Sequence, residues 1–217
     1  MYYIIGDIHG YYSRLAALYD ALVSVMQQAD TIIFLGDYID RGPQSYEVVD
    51  FMIQVSRVTA FKSVFLKGNH EDMLLKYLSG DDHGSAYIMN GGDATIRSYT
   101  RRGGGFDLPQ HHLDFFNTLR LYYEGDDFIA VHAGLNPAVS LEEQDEFDLL
   151  WIRDDFYRAN KRWEKTIIFG HTPVMAIGGS GPIYRDEKRN IIGIDAGVMY
   201  GCPLTCLTWP DGKVFTA

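Results

Sequence analysis

The chain has 217 residues, 47% of them hydrophobic, and a formal net charge of −10 at pH 7. This length and composition suit one domain with a sizeable core. The acidic balance disfavours broad, non-specific contact with nucleic acid. No apolar run approaches the length of a membrane span, and the opening MYYII is too short for a signal peptide and lacks its basic flank. We therefore expect a cytoplasmic protein with neither nucleic acid nor a membrane as its partner.

The first half of the chain alternates short apolar runs with helical patterns. The predicted strands are 2–6, 31–36 and 63–68, and each is followed by a helix. The first helix is predicted over about 12–28, with Leu15, Leu18, Leu22 and Val25 on one apolar stripe, and the other two begin at about 43 and 71. Each strand ends in glycine followed by polar residues. This alternation is typical of βαβ units in a mostly parallel sheet flanked by helices.

Residues 80–118 interrupt this alternation with GG at 91–92, a helical run and GGG at 103–105. We predict a small helical insertion, or cap, within a single domain that spans residues 1–217. The run carries Arg97, Arg101 and Arg102, which we interpret as cations near the end of a helix that glycine terminates. Recognition of an acidic or phosphorylated peptide is the alternative.

Further strands are predicted after the insertion. LRLYYEGD (119–126) and DFIAVHAG (127–134) are typical of a hairpin with Gly-Asp-Asp in its turn. Apolar runs also predict strands within 166–173, 189–197 and 204–209.

Five polar clusters stand at the ends of predicted strands. They are GDIHG (6–10), GDYIDRG (36–42), GNHE (68–71), VHAG (131–134) and GHTP (170–173). Strand ends are where open α/β sheets bind ligands, and carboxylate and imidazole groups together suit a divalent metal. In extended geometry Asp7 and His9 would point to the same side, whereas Asn69 and His70 would diverge. The clusters together therefore indicate a metal site.

These motifs, with NGGDATIRSY (90–99), LLWIR (149–153) and IDAGVMYG (194–201), resemble those of a known family. The chain resembles the calcineurin-like metallophosphoesterases, and within them the phosphoprotein phosphatases, especially the small bacterial and phage members. The resemblance covers almost the whole chain. It implies an α/β fold with a central β-sandwich of mixed sheets flanked by helices, the αββα sandwich.

The resemblance implies a centre of two divalent metals. The implied ligands are Asp7, His9 and Asp37 for the first metal and Asn69, His132 and His171 for the second, with Asp37 as the bridge. Cations that share a carboxylate lie about 3.5–4 Å apart, close enough to hold one phosphoryl group and a shared hydroxide as nucleophile. The ligand types favour manganese, with an Fe/Zn-type pair as the alternative.

The resemblance also implies the catalytic side chains. His70 would protonate the departing alkoxide, and Asp40 would orient His70. Arg41 and Arg153 would bind phosphate oxygens, although Arg153 could instead belong to a surface ion pair. Lys67 stands where phage-like members often have an arginine, so it keeps the charge without the bidentate geometry. The sequence leaves the role of Lys67 open.

The favoured function is a metal-dependent phosphomonoester hydrolase, a Ser/Thr protein phosphatase whose substrate is a phosphorylated protein or a small phosphoester. The alternative is a symmetrical dinucleoside tetraphosphate hydrolase, because such enzymes share the scaffold. They tend to lack the IDRG aspartate and to carry GNHD, whereas this chain has Asp40 and GNHE. A cyclic-nucleotide phosphodiesterase and a non-catalytic phosphopeptide-binding scaffold are less favoured. The sequence predicts no oligomeric state.

Overall fold

The computed structural model describes residues 1–81 and 85–217. The strands in these ranges are β1 (Tyr2–Ile5), β2 (Thr31–Phe34), β3 (Lys62–Phe65), β4 (Tyr122–Glu124), β5 (Phe128–Val131), β6 (Thr166–Phe169), β7 (Tyr184–Asp186), β8 (Ile191–Gly193), β9 (Thr205–Trp209) and β10 (Val214–Thr216). The α-helices are α1 (Tyr12–Val23), α2 (Ser45–Ser56), α3 (Asn69–Ser79), α4 (Ser85–Tyr87), α5 (Asp93–Gly103), α6 (Gln110–Asn117), α7 (Glu146–Trp151) and α8 (Asp154–Tyr157). A π-helical turn, Ile88–Gly92, joins α4 to α5.

The strands form two mixed five-stranded sheets. The first has the order β10-β9-β1-β2-β3, in which β1, β2 and β3 are parallel. The second has the order β4-β5-β6-β8-β7, in which β5, β6 and β8 are parallel. The predicted hairpin is present as the antiparallel pair β4 and β5, with Tyr122 opposite Val131.

Apolar side chains on both faces of each strand place the sheets between helices. Ile4 of β1 packs in one buried cluster with Phe128 of β5 and Ile168 of β6, which joins the two sheets face to face. Ile5 points to the other side and packs in the cluster that contains residues of α1, α2 and α6. Phe169 of β6 likewise packs with residues of α7 and α8. The predicted αββα sandwich is confirmed.

The helices of residues 85–117 pack on the first sheet. Tyr99 of α5 and Phe115 and Phe116 of α6 are buried in the same cluster as Ile5 of β1 and Phe34 of β2.

The observed elements differ from the predicted ones mainly at their ends. The first helix was predicted to reach residue 28 but ends at Val23, and Val25, expected on its buried stripe, is 49% exposed. Strands β7 and β10 were not predicted, because each is a three-residue strand at a sheet edge with exposed polar positions. Among the described residues, no helix has both the length and the apolar character needed to cross a bilayer.

Candidate active site

The loops that follow the parallel strands of both sheets converge at one edge of the sandwich. They carry the six side chains predicted as metal ligands, each at most 5% exposed: Asp7, His9, Asp37, Asn69, His132 and His171. The first four follow strands of the first sheet, and the two histidines follow β5 and β6 of the second. The backbone N–H of His171 donates to both oxygens of Asp7, at 3.1 and 3.0 Å. The two sheets are thus joined at this site.

Left-handed backbone turns bring these side chains together. His9 has φ 47°, Asp37 has φ 51° and His171 has φ 61°, values that non-glycine residues seldom adopt. Asp40 and Arg41 share this conformation, with φ 70° and 68°. Such backbone strain is typical of functional sites, where the surrounding structure maintains it.

Two local predictions from extended geometry are wrong. Strand β1 ends at Ile5, so Asp7 and His9 converge through a left-handed turn rather than along a strand. Asn69 and His70 open helix α3, so their side chains diverge by the angle between successive helical residues, about 100°, rather than by opposite pleats.

Two glycines allow the carboxylates to approach the backbone of the site. A Cβ atom on Gly68 would lie 2.2 Å from Oδ1 of Asp37. A Cβ atom on Gly170 would lie 2.2 Å from Oδ1 of Asp7. Any larger residue at either position would therefore displace a predicted ligand.

The carboxylate of Asp37 lies between two histidines from different sheets. Its Oδ2 is 3.5 Å from Nε2 of His9, and its Oδ1 is 3.4 Å from Nε2 of His132. Two clusters of ligand-type atoms share this residue: His9, Asp37 and His70 form one, and Asp37, His132 and His171 form the other. Asp37 is therefore the residue that would contact both cations of a two-metal centre.

The hydrogen bonds of His132 test whether the site fits a cation. Burial lowers the pKa of His132 to about 3, so the ring is neutral and carries one proton. Its Nδ1 lies 2.9 Å from the carbonyl oxygen of Leu35, and its Nε2 lies 3.0 Å from Oδ1 of Asn69. If Nδ1 donates to the carbonyl, the lone pair of Nε2 faces two acceptors, Asn69 and Asp37. A cation among these acceptors would remove the repulsion, and a tautomer with Nδ1 protonated and Nε2 free is one that metal-binding histidines adopt.

The buried carboxylates of the site also indicate that it binds cations. Burial, followed by the neighbouring charges of Asp195 and Asp37, raises the pKa of Asp7 well above its ordinary value. Burial raises the pKa of Asp195 to about 6, although this carboxylate accepts from the backbone N–H of Gly197 at 2.8 Å. Buried carboxylates so close together need positive charge to stay ionised. The donor set of carboxylate, amide and imidazole therefore fits divalent metal ions.

His70 and Asp40 form a buried pair beside Asp37. Nδ1 of His70 lies 2.6 Å from Oδ2 of Asp40, and Nε2 of His70 lies 3.9 Å from Oδ2 of Asp37. Burial, followed by the charges of Arg41 and Arg153, lowers the pKa of His70, whereas burial raises the pKa of Asp40 to about 7. Burial disfavours the charged form of His70 and of Asp40 when each is considered alone. A proton that lies between Nδ1 of His70 and Oδ2 of Asp40 stabilises both side chains. One ring nitrogen thus faces Asp40, and the other faces the carboxylate of Asp37.

The two predicted phosphate-binding arginines both lie at the site. Nη1 of Arg41 is 3.2 Å from Nε2 of His9. Arg153 is exposed, and its Nη1 donates to the hydroxyl of Thr172 at 3.2 Å, next to His171. Their positive charges therefore flank the histidines from two sides.

Lys67 is engaged elsewhere. Its ammonium group lies 3.0 Å from Asp72 of α3 and 2.8 Å from Glu146 of α7. Lys67 therefore links two helices instead of pointing at the site as a free cation.

The arginines of α5 make ion pairs on the surface. Arg97 pairs with Asp93 one turn earlier in the helix, and Arg102 pairs with Glu47 of α2 at 2.7 Å. Arg101 and Arg102 lie in the last turn of α5, and Gly104 follows in the left-handed conformation. These contacts agree with the interpretation of the cluster as cations at a helix end.

Three supporting residues were not predicted from the sequence. The carboxylate of Glu71 accepts from the backbone N–H groups of Asp37 and Gly68, both at 2.9 Å. Thr95 and Tyr87 donate to Oδ1 of Asp40 at 2.6 and 2.9 Å. The glutamate of GNHE and the threonine of NGGDATIRSY were visible as motif letters, but their partners depend on the folded loops.

The calcineurin-like phosphoesterase family model matches residues 2–192, and the chain belongs to this family. It is therefore a hydrolase that acts on phosphoester bonds. The family implies a centre of two divalent metals, which agrees with the geometry around Asp37.

Individual relatives and solved structures were also found. The chain is 27% identical to the asymmetrical bis(5'-nucleosyl)-tetraphosphatase PrpE of Anoxybacillus flavithermus, over 97% of this chain and 91% of the relative. It is 29% identical to serine/threonine-protein phosphatase 1 of Salmonella typhimurium, over 94% of this chain and 89% of the relative. A solved structure provisionally described as a diadenosine tetraphosphatase matches with a TM-score of 0.75 and 22% identity, over 100% of this chain and 92% of that chain. This structural likeness supports the fold.

Proposed function

We propose that the protein is a metal-dependent phosphomonoesterase that removes phosphate from phosphoserine and phosphothreonine in proteins. The observation that carries this proposal is the buried pair of His70 and Asp40, 2.6 Å apart, beside the shared carboxylate of Asp37. A serine or threonine alkoxide is a poor leaving group and gains much from a positioned acid. A nucleotide phosphate is a better leaving group and needs such an acid less.

The six clustered ligands would hold two divalent cations, with manganese favoured and an Fe/Zn-type pair as the alternative. When bound, the metals would supply Lewis-acid activation of water and neutralise charge on the phosphoryl group. Asp37 would contact both cations, because its two oxygens face His9 and His132 separately.

Side chains of the protein would bind the phosphoryl group and protonate the leaving group. Arg41 and Arg153 would bind the non-bridging phosphoryl oxygens with their guanidinium groups. As the bond from phosphorus to the leaving oxygen breaks, Nε2 of His70 would give its proton to that oxygen. Asp40 would accept the hydrogen bond from Nδ1 and stabilise the protonated ring. Thr95 and Tyr87 would keep Asp40 in place through their hydrogen bonds.

The second candidate is asymmetrical hydrolysis of dinucleoside tetraphosphates. The name of the PrpE relative favours it, because that likeness covers 97% of the chain. This name specifies asymmetrical cleavage, whereas the alternative predicted from the sequence is symmetrical cleavage. The same metals and arginines would serve this substrate, but His70 would contribute less to its cleavage.

Parallel assays test the proposal. We would measure kcat/KM for a phosphoserine peptide and for diadenosine tetraphosphate with the manganese-loaded enzyme, and repeat both after chelation. We expect the higher value for the phosphopeptide and loss of both activities without metal. A higher kcat/KM for diadenosine tetraphosphate would overturn the protein phosphatase assignment in favour of the second candidate.

A further inference from the structure

A second group of metal-type side chains lies between helices α2 and α6. Asp50 belongs to α2, and His111 and His112 belong to the first turn of α6. One ring nitrogen of each histidine and one carboxylate oxygen of Asp50 lie within 4.8 Å of one another. None of the three residues belongs to the centre around Asp37.

His112 is the fixed member of the group. Its side chain is completely buried, and its Nδ1 lies 2.7 Å from the hydroxyl of Tyr99. The ring also packs against Tyr46, with the ring centroids 4.9 Å apart. These contacts hold the ring in one orientation.

The other nitrogen of His112 is left without a hydrogen bond. Nε2 is buried and has no partner among the described residues. A neutral imidazole has one proton, so Nε2 is either an unpaired donor or an unpaired acceptor whichever nitrogen is protonated. An unsatisfied buried polar atom is costly, and it calls for a group that the polypeptide does not supply.

The contact with Tyr99 suits a metal-binding histidine. If Nδ1 donates to the tyrosine oxygen, the lone pair of Nε2 is free for a cation. Histidines that bind metals regularly use their second nitrogen for such an outer hydrogen bond.

The other two members can adjust. His111 is exposed, and its ring centroid lies 4.5 Å from that of His112. Asp50 is half-buried and accepts a hydrogen bond from Gln54 at 2.8 Å through Oδ2. The side chains of His111 and Asp50 can therefore rotate toward a metal ion bound to His112.

We propose that Asp50, His111 and His112 bind one divalent transition-metal ion of the zinc class and thereby link α2 to α6. Two imidazoles and one carboxylate form a ligand set that zinc accepts, with water in the fourth position. Tetrahedral zinc with bonds of about 2.0–2.2 Å places its ligand atoms roughly 3.4 Å apart. The three atoms must approach by no more than about 1.4 Å, which rotation of His111 and Asp50 provides.

Zinc titration of the manganese-loaded enzyme tests this site. We would compare the wild type with His111→Ala and Asp50→Asn, and use Asp114→Asn as the matched control. Asp114 is an exposed carboxylate of the same helix, and it pairs only with Gln110 among the described residues. Each protein is incubated with excess zinc, desalted and analysed for zinc and manganese. Zinc that replaces manganese at the Asp37 centre is common to all four proteins.

We expect the wild type and Asp114→Asn to retain one more zinc ion per chain than His111→Ala and Asp50→Asn. Zinc should also raise the Tm of the wild type more than that of the two site variants, because a ligand of the native state stabilises it. Far-UV circular dichroism without zinc verifies that each variant is folded. Loss of the extra zinc in either site variant supports the proposal. Equal zinc content and equal Tm shifts in all four proteins would overturn it.

Discussion

Replacement of His70 by asparagine tests the proposed acid directly. Asparagine keeps a polar side chain of similar size but carries no transferable proton at neutral pH. His70 is not one of the six predicted metal ligands, so His70→Asn should retain its metal content. The loss should therefore depend on how much the leaving group needs a proton.

The magnitude follows from the position of the ring. Nδ1 is held 2.6 Å from Asp40, and Nε2 faces the carboxylate of Asp37 at 3.9 Å. A positioned general acid contributes about 10²–10⁴-fold, which is about 2.7–5.4 kcal/mol of transition-state stabilisation. We expect a loss of this size with phosphoserine peptide. Nitrophenolate leaves without a proton, so the loss with nitrophenyl phosphate should be at most about tenfold.

The assay is kcat/KM for both substrates, measured for the wild type, His70→Asn and Asp40→Asn at saturating manganese. Asp40→Asn should show the same dependence on substrate with a smaller loss, since the ring remains. Elemental analysis of each variant excludes a loss of metal as the cause. Equal fold losses with both substrates would refute the assignment of His70 as the acid.

Three further substitutions test the supports of the site. Asp37→Asn should abolish metal-dependent activity, because one oxygen of the bridge becomes an amide, and a near-wild-type rate at saturating metal would reject the bridging assignment. Gly68→Ala should weaken manganese binding by about tenfold or more, since its Cβ would lie 2.2 Å from Oδ1 of Asp37. The matched control is Gly103→Ala, whose Cβ meets nothing within 4 Å, and equal manganese affinity in the two variants would contradict the steric argument. Glu71→Gln should lower the free energy of unfolding by about 2–3 kcal/mol, because the buried carboxylate accepts from the backbone of Asp37, Tyr38 and Gly68. Urea denaturation checks this against the exposed control Glu142→Gln, and similar free energies of unfolding for both variants would contradict a stabilising role for these hydrogen bonds.

The sequence predicted the parts of the fold that depend on periodic apolar patterns. The apolar runs in β1, β2 and β6 each form a strand of four residues, of which three or four are buried. Parallel strands bring their carboxyl ends to one edge, so the convergence of Asp7, Asp37 and Asn69 also followed from the pattern. The motif resemblance added the histidines from the second sheet.

The sequence did not predict the conformations that complete the site. The left-handed turns at His9 and Asp37 were not predicted, because non-glycine residues seldom adopt this conformation, although aspartate and histidine do so more often than most. The support of Asp40 by Thr95 comes from a residue 55 positions away in the chain. The Nε2 atom of His112, which has no hydrogen-bond partner within the described part of the chain, becomes apparent only once α2 and α6 are packed.

The central claim is that Asp37 joins two cations in one buried site. Anomalous diffraction from a crystal of the manganese-loaded protein tests it most directly. We expect two peaks about 3.5–4 Å apart, one beside His9 and one beside His132, with the carboxylate of Asp37 in contact with both ions. A single peak, or two peaks away from Asp37, would contradict the account.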